Sequence, residues 1–207
     1  MNKVLLTIAA WLAASPALAH HPLEGMPVET FAQGLLSGVG HPFLGYDHLF
    51  FIVLVGIASA FTARRLLTPL AYIGAMLCGC LIAASGNVLP QSELMAALSL
   101  LVLGAIMLTG YHLDTLKAVG IFALFGLFHG SAFGSFLAAQ ETAAGAAVLI
   151  GYLLGLGFTQ YLLALAAAWV CRKGWKATEP GAIQPRLVAA LVAGVGLLLT
   201  LESIGAR

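Results

Sequence analysis

Charge is what this sequence has least of. Of its 207 residues, 8% are Asp, Glu, Lys or Arg, against about a quarter in a soluble domain, and the mean hydropathy is +1.01. So few solvated groups exclude an ordinary water-soluble globule, and a formal net charge of +1 offers nucleic acid no basic surface. The chain has no Gly-x-x-x-x-Gly-Lys-Ser/Thr loop to cradle ATP and no His-Glu-x-x-His helix to hold a catalytic zinc. Cysteine is scarce: Cys78, Cys80 and Cys171 only. On one helix, residues two apart diverge by about 200°, so Cys78 and Cys80 read as small packing residues rather than a bridge or a pair of soft-metal ligands. No internal repeat is visible, so inverted-repeat transporter architecture is not invoked.

What is present is long apolar runs. With roughly 20 apolar residues per crossing, the chain has room for six or seven spans and little else. The expected fold is an all-α polytopic membrane protein: six spans near residues 43–62, 68–89, 93–111, 117–138, 144–171 and 186–204. Residues 1–19 carry Lys3, an apolar stretch, Pro16 and the small-x-small Ala17-Leu18-Ala19, the pattern of a cleavable signal peptide. The expected organisation is therefore 1–19 signal peptide, 20–42 polar, weakly amphipathic periplasmic segment, and 43–207 six-helix transmembrane domain. Arg64, Arg65, Lys117, Arg172, Lys173, Lys176 and Arg186 fall in alternate connections, whereas the outer connections 87–92 and 138–143 hold no basic residue. The positive-inside rule places those basic loops in the cytoplasm and both mature termini in the periplasm, in an inner membrane. Gly126, Gly130 and Gly134 share one helix face, as do Gly151 and Gly155, a spacing that lets helix backbones approach closely.

Ionisable groups at membrane depth are costly and mark function. Two imidazoles and a carboxylate lie within His41-Pro42-Phe43-Leu44-Gly45-Tyr46-Asp47-His48, a donor set suited to nickel, cobalt, copper or zinc. On a straight helix His41 and His48 would share a face but stand about 10.5 Å apart, too far to share an ion. Pro42 suits a first helical turn and pushes the preceding residue out of helical geometry, so His41 either folds back over the mouth or forms a separate station. His129, beside Gly130 in the fourth span, lies at a depth comparable to His48 in the outer half, so a site joining the first and fourth spans is reasonable. Weaker candidates are Glu93 at an outer helix end, His112 and Asp114 at a cytoplasmic end, and Gln160 mid-span, where it either bonds a neighbouring helix or lines a path. His20 and His21 would open a mature chain cleaved after Ala19 and could collect metal. A serine-hydrolase pairing of Ser131 with His129 fails, because positions two apart diverge on a helix.

With His41-Pro42-x-x-Gly45-x-Asp47-His48 and Phe128-His129-Gly130-x-Ala132, and with the order of signal peptide, six spans and short loops, the chain resembles the HupE/UreJ family of nickel and cobalt permeases. The resemblance implies secondary uptake of Ni²⁺ or Co²⁺ as cargo, with no permanent cofactor and no enzymatic activity, and with delivery towards metallochaperones of hydrogenase or urease maturation. It places the metal-site role on His41, Asp47, His48 and His129, with Glu93 as an addition; oligomeric assembly is compatible with it. Family members often carry a further histidine or carboxylate just after the second motif, where this chain has Phe133 and Gly134. A dication moving inward through 100 mV gains about 4.6 kcal/mol, enough to drive uptake without ATP. Two other readings use the same residues: a membrane metal sensor or accessory subunit that binds without moving the ion, and an intramembrane metalloenzyme.

Overall fold

A computed structural model describes residues 28–138 and 145–205; the expected signal peptide, His20 and His21 lie outside these. Among the described residues the chain is helical throughout: α1 (Phe31–Leu44), α2 (Tyr46–Ser59), α3 (Pro69–Ala84), α4 (Ser92–Leu108), α5 (Thr115–Ala138), α6 (Ala146–Trp169), continued by a π-helical turn over Val170–Gly174, and α7 (Ile183–Gly205). By length and apolarity α5, α6 with its extension, and α7 can each cross a bilayer, and the α1–α2 pair, bent by 84° at Gly45, adds a fourth crossing if counted as one broken span. The shorter α3 and α4 are apolar helices of 16 and 17 residues. The expected span 68–89 is thus shorter at its C-terminal end, where Ser85 to Asn87 turn the chain with Gly86 at φ 90°.

The first expected span began at residue 43, yet a helix already runs from Phe31. Its start is fixed by Thr30, whose hydroxyl accepts from the Gln33 backbone N–H while the Gln33 side chain accepts from the Thr30 backbone N–H, a reciprocal cap that satisfies two orphan donors. Pro42 therefore does not open a helix as expected. It sits in the last turn of α1, with His41 helical beside it; so near the helix end, a missing N–H forfeits little. The break falls three residues later at Gly45 (φ −107°, ψ 104°).

Glycine organises the packing. The face of Gly126, Gly130 and Gly134 lies on the α3 backbone at Tyr72, Met76 and Cys80, and Gly79 of α3 returns the contact at Leu127. Gly151 and Gly155 of α6 lie on Phe31, Leu35 and Val39 of α1, matched by Gly34 and Gly38 against Val148 and Tyr152. Gly104 of α4 meets Ala189 and Ala193 of α7, while Gly196 meets Leu100 and Leu101. A Cβ at most of these glycines would lie inside the neighbouring main chain. The two glycine faces noted in the sequence are therefore close-approach faces, and each seats a different partner.

Three helix pairs result, α1 with α6, α3 with α5, and α4 with α7. The helix α2 runs between them and touches α3, α4, α5, α6 and α7. Its Phe51, Ile52, Leu54 and Val55 are wholly buried. Large apolar side chains such as Leu154, Phe158, Leu187, Leu191 and Leu198 stand exposed on the outside of the bundle, where a bilayer would cover them. The basic side chains gather at one end. Arg65 and Arg172 line a cleft of about 550 Å³ together with Thr62, His112 and Glu179. Nearby, Arg186 Nε donates to the Leu108 carbonyl, 2.8 Å.

Candidate metal site

The bend at Gly45 does the work expected of Pro42. It brings His41, in the last turn of α1, back towards His48, in the first turn of α2, with ring centroids 6.5 Å apart. Glycine is required at the bend for space: a Cβ there would stand 2.7 Å from the His48 ring and 3.0 Å from Asp47 Oδ1. Asp47 occupies the first turn of α2, where a carboxylate is favoured by the helix dipole. Its Oδ2 is 3.6 Å from His48 Nε2, and its side chain remains 29% exposed.

His129 arrives from α5. Its ring is wholly buried and stacks on Phe51 at 4.6 Å and 17°, with Tyr72 edge-on at 5.8 Å. Its Nδ1 lies 2.6 Å from His48 Nδ1, and its Nε2 lies 2.8 Å from Ser99 Oγ of α4. The two sequence motifs, 81 residues apart, thus meet in one contact between α2 and α5.

Proton bookkeeping assigns the tautomers. Ser99 Oγ donates its proton to the Ala96 carbonyl at 2.6 Å, so it accepts from His129 Nε2–H. In neutral His129 that leaves a lone pair on Nδ1, and His48 must donate Nδ1–H to it. Neutral His48 then turns the Nε2 lone pair towards the Asp47 carboxylate. Two electron-rich donors 3.6 Å apart repel each other unless a positive charge, a proton on His48 Nε2 or a metal cation, accompanies them. Zn–N and Zn–O bonds of about 2.0–2.2 Å set at a roughly tetrahedral angle span about 3.4 Å between donors, so the pair is near the bite of a small dication.

Between His41 and His48 stands Phe133, its ring centroid 4.7 Å from His41 and 4.1 Å from His48. An apolar ring thus fills the gap across which the two imidazoles would converge, and among the described residues no three His, Cys, Asp or Glu side chains enclose one point. Glu93 is exposed in the first turn of α4. His112 Nε2 donates to the Phe61 carbonyl at 3.0 Å at the cleft end of the bundle. Asp114 is a helix cap: its Oδ1 accepts from the Lys117 backbone N–H at 2.9 Å. That bond, with the Lys117 ammonium at 3.0 Å, holds its carboxyl below the usual carboxylate range.

Ser131 accepts from the Leu89 N–H at 2.8 Å, pinning the α3–α4 connection to α5. Cys80 is buried with Sγ 3.9 Å from Met76 Sδ, while Cys78 is exposed, so the two thiols face different surroundings. Sequence reasoning missed Ser99. Its only sequence signal is a hydroxyl inside the Leu/Ala-rich run of α4.

The family model described as HupE / UreJ protein matches residues 8–199. The chain belongs to the HupE/UreJ family. Protein HupE of Rhizobium leguminosarum bv. viciae is 31% identical over 179 residues, covering 83% of this chain and 90% of that protein. No solved structure matches significantly. Both site histidines, His48 and His129, fall inside the region matched to HupE/UreJ, as do the glycines that join the helix pairs.

Proposed function

We propose that this HupE/UreJ member is a secondary transporter that carries a divalent transition-metal ion, nickel or cobalt, across the bacterial inner membrane into the cytoplasm. The observation that carries the reading is the buried His48–His129 contact at 2.6 Å with Asp47 beside it at 3.6 Å: two intramembrane imidazoles and a carboxylate from distant parts of the chain brought to one place, an arrangement costly in lipid and suited to such cargo. In this reading the bent α1–α2 pair counts as one crossing, and α3 to α7 supply five more. The end holding Arg65, Arg172 and Lys117 faces the cytoplasm.

Asp47, part-exposed, meets the hydrated ion first and supplies charge compensation. His48 Nε2 replaces one water. His129 and Ser99 hold the His48 tautomer that presents this nitrogen. The 2.6 Å spacing of the two Nδ1 atoms is too short for an ion to sit between them, since cis donors at about 2.1 Å from a metal stand about 3 Å apart; His129 therefore acts through the His48 tautomer. His41 completes the set when Phe133 moves aside.

The test is accumulation of radioactive Ni²⁺ and Co²⁺ in cells making the full chain or its His48→Ala variant. The intact chain raises uptake and the variant returns it to background. Equal background uptake from both removes the transport reading, and metal binding without uptake turns the protein into a sensor or accessory subunit.

A further inference from the structure

Gln160 lies on α6, fourteen positions into the helix from Ala146, and is wholly buried. Neither its amide oxygen nor its amide nitrogen has a hydrogen-bond partner, and the same holds for the buried hydroxyls of Tyr72, Tyr152 and Ser59. An amide or hydroxyl buried without a partner costs about 1–3 kcal/mol, and buried polar groups are seldom left so. These five atoms on three helices put hydrogen-bonding capacity inside the apolar interior of the bundle.

Their placement is ordered. Tyr72 is edge-on to His129 at 5.8 Å, and its hydroxyl lies within weak hydrogen-bonding range of the Gln160 side chain, short of good geometry. Gly56 of α2 abuts Ala164, one turn beyond Gln160, and Ser59 follows at the end of α2. From there Thr62, whose hydroxyl is 2.9 Å from that of Thr68, opens on the cleft that also holds Arg65 and Arg172. Polar oxygens therefore run from the imidazole pair towards the basic end, through a core that is otherwise apolar.

The geometry points to a second cation station at Gln160 and Tyr72, where neutral oxygen donors receive a divalent ion that keeps part of its water after leaving the histidines. This rests on the transport reading given above. Imidazole binds nickel and cobalt firmly, whereas amide and hydroxyl oxygens bind them weakly. Conduction needs a site strong enough to be entered and weak enough to be left. An uncharged station between a His/Asp mouth and a cleft lined by arginines meets that need.

The test uses the purified full chain in proteoliposomes holding an entrapped Ni²⁺-responsive dye, with Ni²⁺ outside, and equilibrium Ni²⁺ binding to the same proteins in detergent. Gln160→Leu, close in volume and without polar atoms, should slow uptake about tenfold or more, the factor that about 1.4 kcal/mol at a barrier produces. Its Ni²⁺ affinity and its melting temperature should stay at or above those of the wild type. Tyr72→Phe, which keeps the ring against His129, should slow uptake in the same direction. Wild-type uptake by Gln160→Leu overturns the station and leaves the histidine site standing, and so does a loss of binding or of folding that matches the loss of uptake, since both assign Gln160 a structural role. If His48→Ala transports as fast as the wild type, or the wild type does not transport, the reading beneath the station fails and the station with it.

Discussion

Ser99→Ala removes one oxygen atom that never touches the metal in our reading, which makes it a sharp test of the tautomer argument. In the wild type, His129 Nε2–H has Ser99 Oγ as its acceptor at 2.8 Å, inside a region where His129 is wholly buried. Without that hydroxyl the N–H is stranded, at about 1–3 kcal/mol. The imidazole escapes by moving its proton to Nδ1. His48 must then offer a lone pair at Nδ1 and carry its own proton on Nε2, facing Asp47, where the metal would bind. To load the ion the protein must return to the unfavourable tautomer, and about 1–3 kcal/mol corresponds to roughly 5–150-fold weaker binding. The assay is the Ni²⁺ concentration for half-maximal uptake, measured beside Ser99→Thr, which keeps a hydroxyl. The expected result is a half-saturating concentration raised within that range for alanine and near normal for threonine, with the maximal rate less affected. An unchanged value for Ser99→Ala, in a background where His48→Ala abolishes uptake, refutes the reasoning.

Phe133→His should raise Ni²⁺ affinity in equilibrium binding, because it sets a third imidazole between His41 and His48, whose rings flank Phe133 at 4.7 and 4.1 Å; an affinity at or below that of the wild type would show that the ring does not stand in the ligand position. Gly130→Ala should lower the melting temperature in detergent, since its Cβ would enter the Met76 carbonyl and stand 2.9 Å from Cys80 N; overpacking of this kind costs typically about 1–3 kcal/mol. Gly74→Ala, on the same helix pair with open space around it, is the matched control and should melt as the wild type does. In intact cells a cysteine at Glu179, in the cleft with Arg65 and Arg172, should resist a membrane-impermeant thiol reagent, whereas one at Asn87 in the α3–α4 connection should react. The reverse pattern would invert the proposed orientation.

Membrane character, the later helices and the pairing of the two histidine motifs were legible because each is written in composition: uninterrupted apolar runs for α5 to α7 and rare ionisable groups within them. The helix α1 was not. Its segment carries Gly34, Ser37, Gly38, Gly40, His41 and Pro42, residues that lower both hydropathy and helix propensity. What makes it a helix is tertiary: Gly34 and Gly38 let it lie on the α6 backbone, and packing overrides propensity. The one local sign was the Thr30/Gln33 cap. The bend needed to bring His41 near His48 was foreseen but assigned to the proline, because Pro is the stronger helix breaker by rule. The structure puts it at Gly45, where the deciding factor is the space a side chain would take from Asp47 and His48. Ser99 was illegible as a site neighbour because a hydroxyl in an apolar run has no sequence feature to separate a site role from packing, whereas Phe133 was marked only by the resemblance, as an apolar residue just after the second motif.

The arrangement of the glycine-joined pairs bears on how such a site could release what it binds. His41 belongs to the α1–α6 pair, His129 to α3–α5, Ser99 to α4–α7, and Asp47 with His48 to the helix between them. Within each pair the backbones lie in contact through several glycines, so sliding or tilting inside a pair would drive main chain into main chain, and close-packed interiors resist that. Gly56 likewise seats α2 on the α6 main chain at Ala164, whereas Gly157 of α6 meets α3 only through the side chains of Leu77 and Ile73, and side-chain contacts of that kind can re-form in new registers. Motion therefore falls between the units, and it changes the distances from His41, Asp47 and His48 on the α1–α6 side to His129 on α3–α5 and Ser99 on α4–α7. A shift of about 1 Å at the seam would break the His48–His129 contact at 2.6 Å and with it the hold on the tautomer that presents His48 Nε2. Binding and movement are thereby coupled through the same few side chains, with no separate gate required.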